Sequence, residues 1–445
     1  MRVRVPLHRM LILTMLVTLP MIAHGQWEYE TVTVGGKKCA IAVDADGNPH
    51  ISHVDPTDHH YLNYAHWDGT DWQIAGVETT ESVYGVTSIA LDESENPHIA
   101  FFSGGMLHRA WWNGSTWQKE EVDGNASEYN SIAIDGDGYP HIAYRYYKDG
   151  PYLKYAYKDA SGWHRSIADS LPTDSYLTSM ALDGNNNPHI SYYNGSGYDL
   201  KYAYWDGSNW LTETVDAVGS RVGKYNSIAL DSLDYPCIAY SDDGVKYARW
   251  NGSAWQIETV DPGNGYGFYT SLALDANDRP HISSGVYGSD LRYAYWDGSD
   301  WQIEVVDNTV GCDWTSLAID DSGYCHIAYN DGSDSANLKY AKRILTTGVE
   351  ETASRPIQEV FHLAQNYPNP FNPVTTISYE LPKDSDVTLT IYDITGRLIE
   401  TLVDQKQNGG HYSVQWDAFQ YSSGVYIYRI KTPDFSDVRK CLLIK

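Results

Sequence analysis

The chain has 445 residues and a formal net charge of −27, with 37 tyrosines, 15 tryptophans and 20% charged residues. A charge this negative argues against nucleic acid and anionic membranes as general partners. The composition is typical of a globular β-rich protein and argues against an intrinsically disordered chain.

The first 25 residues have the features of a secretory signal peptide. Three arginines, Arg2, Arg4 and Arg9, precede an apolar run over residues 10–22, and Ala23-His24-Gly25 fits a small-x-small cleavage site. The competing interpretation is an uncleaved anchor helix. No other stretch is long and apolar enough to cross a bilayer. We therefore expect residues 1–25 to direct export.

A unit of four short β-type segments recurs from residue 26 onward. The first segment has the form Ser-Leu-Ala-Leu-Asp, and its closing aspartate recurs at intervals of 43 to 48 residues, at Asp44, Asp92, Asp135, Asp183, Asp231, Asp275 and Asp320. A period in the forties with four strands per unit indicates a β-propeller, and seven aspartates predict seven blades.

The fourth strand of the unit predicts how the ring closes. It begins with a tryptophan in the first six units, at Trp72, Trp117, Trp163, Trp210, Trp255 and Trp301. The seventh unit lacks this strand, but residues 26–32 read like it. If the N-terminus supplies the fourth strand of the seventh blade, the ring closes and two exposed sheet edges are removed.

The turns between the predicted strands are of two kinds. The first-to-second and third-to-fourth turns are uniform and rich in Asp-Gly or Asn-Gly, which is hairpin chemistry. The second-to-third loops and the connections between blades vary in length and content. Antiparallel order puts the uniform turns on one face of the ring, the turn face, and the variable loops on the other, the loop face. Function usually lies in variable loops, so we predict a binding site on the loop face.

The repeat ends before residue 346, and the sequence then changes character. Residues 346–360 are polar and read as a linker. The segments after it are short and alternating, with Pro- and Gly-rich turns, at Leu363–Pro373, Thr375–Pro382, Leu389–Arg397, Gly424–Arg429 and Lys440–Lys445. The predicted organisation is therefore a signal peptide (1–25), a seven-bladed propeller (26–345), a linker (346–360) and a C-terminal domain (361–445).

The C-terminal segments resemble the type A sorting domain of the bacterial type IX secretion system, with Cys441 as a departure at a position that is usually apolar. The resemblance implies a small Ig-like β-sandwich read by the outer-membrane translocon, and a protein that is secreted or attached to the cell surface. Residues 26–345 resemble seven-bladed propellers of the lectin and sialidase type.

Several repeated polar residues are interpreted as structural. A histidine follows the first turn in six blades, at His50, His98, His141, His189, His281 and His326. A catalytic histidine is needed once, so we expect hydrogen bonds within each blade, to the aspartate of the repeat or a neighbouring turn. The acidic turns at Asp44–Asn48 and Asp135–Gly138 resemble calcium loops but lack the distal acid, so turn chemistry is preferred.

No metal site or cofactor is predicted. The alternative is a metal-binding cluster in the first blade, made of His53, Asp55, Asp58, His59 and His60. The five cysteines are few and scattered, and we assign no disulfide.

The candidate binding residues lie two positions before the serine of each first strand, a place we call the mouth position. It holds Lys38, Val86, Tyr129, Leu177, Tyr225, Tyr269 and Trp314 in blades one to seven. We expect the four aromatic residues to ring the mouth of the central channel on the loop face, joined by Arg145, Tyr146 and Arg221. Flat rings beside polar groups suit sugar binding. The alternative is that these rings only cover the core.

The sequence favours a secreted or surface-attached binding protein, a monomer, whose ligand is carbohydrate or protein. The alternatives are a secreted carbohydrate-active hydrolase or lyase and a structural surface-layer component. No catalytic residue is assigned, because a glycosidase needs two placed carboxylates and the sequence offers too many acids to choose a pair. Fold alone does not settle function.

Overall fold

The computed structural model of the protein describes residues 27–56, 60–148, 150, 152–170, 175–219, 222–262, 267–286, 290–308, 311–312, 314–332, 336–344, 362–363, 366, 371–381, 383–408, 410–433 and 435–445. The predicted signal peptide and linker lie outside these residues. All regular elements in the described part are β-strands. None of the described residues form a helix with the length and hydropathy needed to cross a bilayer.

Seven four-stranded antiparallel sheets follow the seven repeats, and we refer to them as blades 1 to 7. Alternating small and branched residues form the first strand of each, and turns with Gly or Asn at their corners connect the strands. Blade 1 comprises β2 (Lys37–Val43), β3 (Pro49–Asp55), β4 (Tyr61–Trp67) and β5 (Trp72–Glu78). Blade 2 comprises β6 (Val83–Leu91), β7 (Pro97–Ser103), β8 (Met106–Trp112) and β9 (Trp117–Gly124).

The remaining blades repeat this plan. Blade 3 comprises β10 (Ala126–Ile134), β11 (Pro140–Tyr146), β12 (Tyr152–Asp159) and β13 (Gly162–Ser170); blade 4 comprises β14 (Ser175–Leu182), β15 (Pro188–Asn194), β16 (Asp199–Trp205) and β17 (Trp210–Asp216). Blade 5 comprises β18 (Lys224–Leu230), β19 (Pro236–Ser241), β20 (Val245–Trp250) and β21 (Trp255–Asp261); blade 6 comprises β22 (Gly267–Leu274), β23 (Pro280–Val286), β24 (Leu291–Trp296) and β25 (Trp301–Asp307).

The seventh blade is assembled from both ends of the repeat region. It comprises β26 (Thr315–Ile319), β27 (Tyr324–Asn330), β28 (Leu338–Ile344) and the N-terminal strand β1 (Glu28–Thr33). β1 pairs antiparallel with β28, with Glu28 opposite Lys342. The prediction that the N-terminus supplies the missing fourth strand is confirmed. First strands of successive blades contact one another, and β26 of blade 7 contacts β2 of blade 1.

The blades are joined by one repeated aromatic contact. The tryptophan that begins a fourth strand packs edge-on against a tyrosine in the third strand of the preceding blade, at ring-centroid distances of 5.0 to 5.5 Å. The pairs are Trp27–Tyr293, Trp72–Tyr340, Trp117–Tyr64, Trp210–Tyr155, Trp255–Tyr202 and Trp301–Tyr247. Trp72 and Tyr340 make this contact between blade 1 and blade 7. The tryptophans are therefore packing residues.

The C-terminal segment forms two further sheets around one core. One contains β29 (His362–Leu363), β30 (Val374–Leu381) and β33 (Gly410–Asp417). The other contains β31 (Ser385–Asp393), β32 (Leu398–Gln407), β34 (Gly424–Lys431) and β35 (Ser436–Leu443). Their inward side chains, among them Tyr379, Trp416 and Tyr428, belong to a single buried cluster.

Candidate functional site: the loop face of the propeller

A buried three-residue staple joins neighbouring blades at the loop face. An aspartate that is the last or second-to-last residue of a fourth strand accepts hydrogen bonds from a tyrosine and a lysine of the next blade. The Tyr/Asp/Lys sets are Tyr144/Asp123/Lys154, Tyr192/Asp169/Lys201, Tyr240/Asp216/Lys246 and Tyr329/Asp307/Lys339. The hydroxyl-to-carboxylate distances are 2.6 to 2.7 Å. Burial and the neighbouring carboxylate hold the pKa of these tyrosines far above its ordinary value, so each hydroxyl remains a donor.

Three blades lack the complete staple. Blade 6 has Ser284 in place of the tyrosine, although Arg292 still bonds to Asp261 at 2.7 Å. Blade 2 has Phe101, and blade 1 has His53, which is 1% exposed. Neither ring nitrogen of His53 has a hydrogen-bond partner among the described residues. Burial lowers the pKa of His53 to about 4, so the imidazole is neutral at neutral pH.

The repeated histidines lie at the turn face and are structural, as the sequence predicts. In all six, Nε2 lies 3.0 to 3.8 Å from a carboxylate oxygen of the aspartate in the same blade. In five, Nδ1 is hydrogen-bonded to a tyrosine hydroxyl of the third strand. A carboxylate only accepts, so Nε2 carries the proton and Nδ1 accepts from the tyrosine. Burial lowers the pKa of each histidine, which favours this neutral form.

The acidic turns use their oxygens for local hydrogen bonds. Asp44 Oδ1 accepts from the backbone N–H of Asn48 at 2.7 Å, and Oδ2 accepts from Asn48 Nδ2 at 3.0 Å. Burial alone would raise the pKa of Asp44, but these bonds and that from His50 lower it overall. Within the described residues, no three His, Cys, Asp or Glu side chains form a metal-binding group. Asp58 and His59 of the alternative cluster lie outside the described residues.

The mouth positions are held in place by neighbouring blades. A threonine or asparagine on the first strand of the next blade donates to the backbone carbonyl of the mouth residue. Four such bonds join Thr87 to Lys38, Asn130 to Val86, Asn226 to Leu177 and Thr270 to Tyr225. This bond is to the backbone, so it fixes the position while leaving the side chain free to differ between blades.

The backbone at several mouth positions is left-handed. The φ angles are +57° at Lys38, +62° at Leu177, +50° at Tyr225 and +52° at Tyr269. The pairing register with the second strand shifts at each of these places. A bulge of this kind redirects a side chain relative to a regular strand. A left-handed conformation costs a non-glycine residue roughly 1–2 kcal/mol, and such outliers cluster at functional sites.

Three mouth residues from consecutive blades form a contiguous group that we call the aromatic arc: Tyr225, Tyr269 and Trp314. The ring centroids of Tyr225 and Tyr269 are 4.2 Å apart at an interplanar angle of 52°. Those of Tyr269 and Trp314 are 3.7 Å apart at 34°. All three residues are half-buried, and Trp314 also packs against the core between blades 7 and 1. The arc therefore combines core packing with an accessible aromatic surface.

The other predicted site residues are distributed differently. Tyr129 is half-buried at the mouth position of blade 3, separated from the arc by Leu177 of blade 4. Tyr146 packs against the core between blades 2 and 3, and the Lys154 ammonium lies 3.7 Å from the centre of its ring. Arg145 is half-buried beside it. Arg221 lies outside the described residues.

Lys38 lies beside the arc in the ring order, because blade 1 follows blade 7. Burial lowers the pKa of Lys38, and the neighbouring carboxylate of Glu128 opposes that shift. Glu128 covers Gly85 of blade 2, where a Cβ atom would come within 2.1 Å of the Glu128 carbonyl oxygen. The loop face thus carries the aromatic arc of blades 5 to 7 and, from blades 1 and 3, the neighbouring cation and acid of Lys38 and Glu128.

Comparison with known proteins identifies the C-terminal segment. Residues 365–445 match the family described as secretion system C-terminal sorting domain. This segment is similar to that family. The match confirms the resemblance to type IX sorting domains, and it indicates an extracellular protein that is secreted or attached to the outer surface. No curated protein matches the chain.

Several solved structures are similar to the larger part of the chain. An ulvan lyase, a polysaccharide lyase with a bound saccharide, has a TM-score of 0.50 at 13% identity, covering 70% of this chain and 95% of its own. The fucose-specific lectin of Aleuria aurantia has a TM-score of 0.44 at 14% identity, covering 63% and 97%. A leech intramolecular trans-sialidase has a TM-score of 0.41 at 12% identity, covering 71% and 69%. At this identity the likeness concerns the fold.

Proposed function

We propose that the protein is an exported carbohydrate-binding protein whose loop face takes its ligand at the aromatic arc. The seven blades form a closed propeller over residues 26–345, and the tail over residues 361–445 is an Ig-like sandwich that the outer-membrane translocon reads. The single observation that supports binding at the arc is the meeting of aromatic side chains from three consecutive blades. Two of the three have a left-handed backbone.

The chemistry of the arc favours carbohydrate over other ligands. Sugar rings present C–H groups on one face, which pack on aromatic side chains, and hydroxyl groups at the edge, which bond to charged and amide groups. Tyr225, Tyr269 and Trp314 supply the aromatic surface, and Lys38 and Glu128 supply polar groups nearby. We assign Tyr129, Arg145 and Tyr146 to the same loop-face site, and Arg221, which lies outside the described residues, stays a sequence-based candidate. No catalytic residue is assigned.

A glycan-array screen of the purified exported protein tests the proposal. The wild type is compared with Tyr225→Ala and Trp314→Ala, and circular dichroism monitors the fold. We expect both substitutions to abolish the same binding signal while the fold stays intact. The matched control is Tyr147→Ala, because Tyr147 is a 50% exposed tyrosine of the same face outside the arc.

Three other results would contradict the proposal. A wild-type glycan profile in which neither arc substitution removes any binding signal would place the site elsewhere. The absence of any glycan binding would favour a protein ligand on this face. Turnover of a bound glycan, measured as new reducing ends or unsaturated products, would favour the alternative of a hydrolase or lyase.

A further inference from the structure

A second concave site lies on the opposite face of the propeller, between blades 7 and 1. We call it the seam cavity. Its volume is about 440 Å³, which falls within the range of roughly 300–1,000 Å³ usual for small-ligand pockets. Its wall includes three aromatic residues, three carboxylates and one ammonium group, from Tyr29, Trp67, Tyr340, Glu28, Glu30, Asp46 and Lys342. The seam cavity shares no residue with the aromatic arc.

The cavity lies where blade 7 lacks a turn that the other blades have. In five blades the turn between the third and fourth strands brings two tryptophans into edge-on contact, at 5.6 to 5.9 Å. In blade 7 the two strands come from opposite ends of the repeat region, so no such turn joins β28 to β1. Arg343 takes the place of the first tryptophan and is directed toward blade 6, where it bonds to Glu304 at 2.6 Å.

A second departure of blade 7 from the repeat leaves more space in the seam. Lys342 occupies the position that Tyr204 holds in blade 4, where the tyrosine ring packs against the core between blades 4 and 5. The Lys342 ammonium lies 4.4 Å from the centre of the Tyr324 ring, within its own blade. The seam between blades 7 and 1 therefore lacks the kind of ring that Tyr204 and Tyr295 pack against the seams that follow blades 4 and 6. Blade 5 also departs from this pattern, with Arg249 at the position.

The wall of the seam cavity has the chemistry of a neutral saccharide site. Trp67 and the 59% exposed Tyr29 offer ring faces for the C–H groups of a sugar. Glu28 and Asp46 are exposed acceptors for hydroxyl groups, and Glu30 is fixed by the hydrogen bond that Trp72 Nε1 donates to it at 2.9 Å. Three carboxylates against one ammonium disfavour an anionic ligand.

We propose that the seam cavity is a second carbohydrate-binding site, for a neutral hexose-sized unit, independent of the arc. The protein would then bind saccharides on both faces of the ring. Such an arrangement lets one molecule bridge two chains of a polysaccharide and raises its avidity without stronger individual contacts.

The test uses the full exported chain carrying Tyr225→Ala and Trp314→Ala, so that binding at the arc is removed. The probes are the methyl glycosides of neutral hexoses and 6-deoxyhexoses, with glucuronic acid as the anionic comparison, titrated by saturation-transfer NMR. We expect saturable binding of at least one neutral glycoside and at least tenfold weaker binding of glucuronic acid. Lys342→Tyr restores the residue of the repeat and should weaken the neutral binding at least tenfold without lowering Tm.

A matched pair of tryptophans separates binding from stability. Trp67 and Trp205 make the same edge-on contact, at 5.9 and 5.8 Å, but only Trp67 borders the seam cavity. We expect Trp67→Ala and Trp205→Ala to lower Tm alike, and only Trp67→Ala to remove binding. Equal loss of binding in both variants would overturn the proposal.

Two further results would also overturn it. One is that no neutral glycoside binds the chain with the disabled arc, in which case binding by the wild type still supports the arc on its own. The other is binding that Lys342→Tyr leaves unchanged. Binding that persists without the arc and disappears with Lys342→Tyr would support the seam cavity, while the arc is tested separately by the wild-type signals that the arc substitutions abolish.

Discussion

The turn face and the loop face of the propeller differ in how far they depart from the repeat. At the turn face, the same Asp–His contact recurs in six blades, and five add the same tyrosine. At the loop face, the Tyr/Asp/Lys staple is complete in four blades, and the mouth positions hold five different residue types.

The reason lies in the type of bond that holds each position. The turn-face histidine is fixed through its side chain, so another residue would leave a buried carboxylate and hydroxyl without partners. The mouth residue is fixed through its backbone carbonyl, which any residue provides. Changing the residue at a mouth position therefore costs little stability, whereas changing the turn-face histidine costs more. For this reason the mouth residues can differ between blades without disturbing the ring.

The largest expected effect is at the turn face. Asp183 accepts backbone N–H bonds from Asn185 at 2.8 Å and Asn187 at 2.7 Å, and it lies 3.8 Å from His189. We expect Asp183→Ala to lower the free energy of unfolding by about 3 kcal/mol, because Asn185, Asn187 and the buried His189 lose their shared carboxylate together. Urea denaturation measures the change.

The control for this variant is Asp206→Ala, in the exposed turn of the same blade. Asp206 accepts the N–H groups of Ser208 and Asn209 at 2.8 and 2.7 Å, but these donors can turn to water instead. We expect a loss of about 1 kcal/mol or less. Equal losses in the two variants would mean that the hydrogen bonds to the turn-face aspartate do not explain why the same contacts recur in nearly every blade.

The acid response of blade 1 is the next largest effect. His53 has a folded-state pKa of about 4, below the ordinary value near 6.5. The unfolded chain therefore binds a proton that the folded chain does not between these values, and stability falls as the pH drops from about 6.5 toward 4. At about 1.4 kcal/mol per pKa unit, His53 accounts for roughly 3 kcal/mol of that loss.

Replacing this histidine with the residue of blade 2 tests the assignment. Phe101 occupies the equivalent place, so His53→Phe keeps a buried ring and removes the titrating group. Tm of the variant should fall less than that of the wild type between pH 6.5 and 4.5, and the two should behave alike above pH 7. Parallel pH profiles would show that His53 is not the group responsible.

The loop-face staple gives a smaller effect. Tyr192 donates to Asp169 at 2.6 Å, and Lys201 bonds to the same oxygen at 2.8 Å. Tyr192→Phe removes one donor to a buried carboxylate, with an expected loss of about 2 kcal/mol in the free energy of unfolding. Tyr147→Phe at an exposed site serves as the control and should change nothing measurable. A loss below 0.5 kcal/mol for Tyr192→Phe would mean that Lys201 alone satisfies Asp169.

The sequence predicts the repeated part of this architecture better than the parts that depart from it. Seven aspartates and six tryptophans are enough to count the blades and to assign the N-terminal strand, because each belongs to a contact made in nearly every blade. The same spacing offers the aspartate of the repeat as one of two possible partners of the histidines, but it does not indicate the tyrosine of the third strand.

The loop face is predicted less completely. An Asp at or next to the end of a fourth strand and a Tyr in the next blade, such as Asp169 and Tyr192, recur in four places along the sequence, so the staple has a sequence signal. The left-handed backbone at Tyr225 and Tyr269 had none, because bulky residues rarely adopt it. The seam cavity depends on what blade 7 lacks, and only the assembled ring shows which space remains unfilled.

The substitution with the smallest expected change in stability is Tyr225→Gly. It tests whether the arc mainly packs the core or mainly binds a ligand. Tyr225 has a φ of +50°, which glycine adopts without cost, and its ring lies 4.2 Å from that of Tyr269. Tyr225→Gly should gain roughly 1 kcal/mol from relief of the left-handed backbone and lose about 0.5–1.5 kcal/mol of aromatic contact, so the free energy of unfolding should change by less than about 1 kcal/mol. Glycan binding should nevertheless disappear. Tyr225→Ala keeps the left-handed cost and should be the less stable of the two. If Tyr225→Gly destabilises the protein as strongly as Asp183→Ala does, the ring serves the core and the loop face loses its main argument for binding.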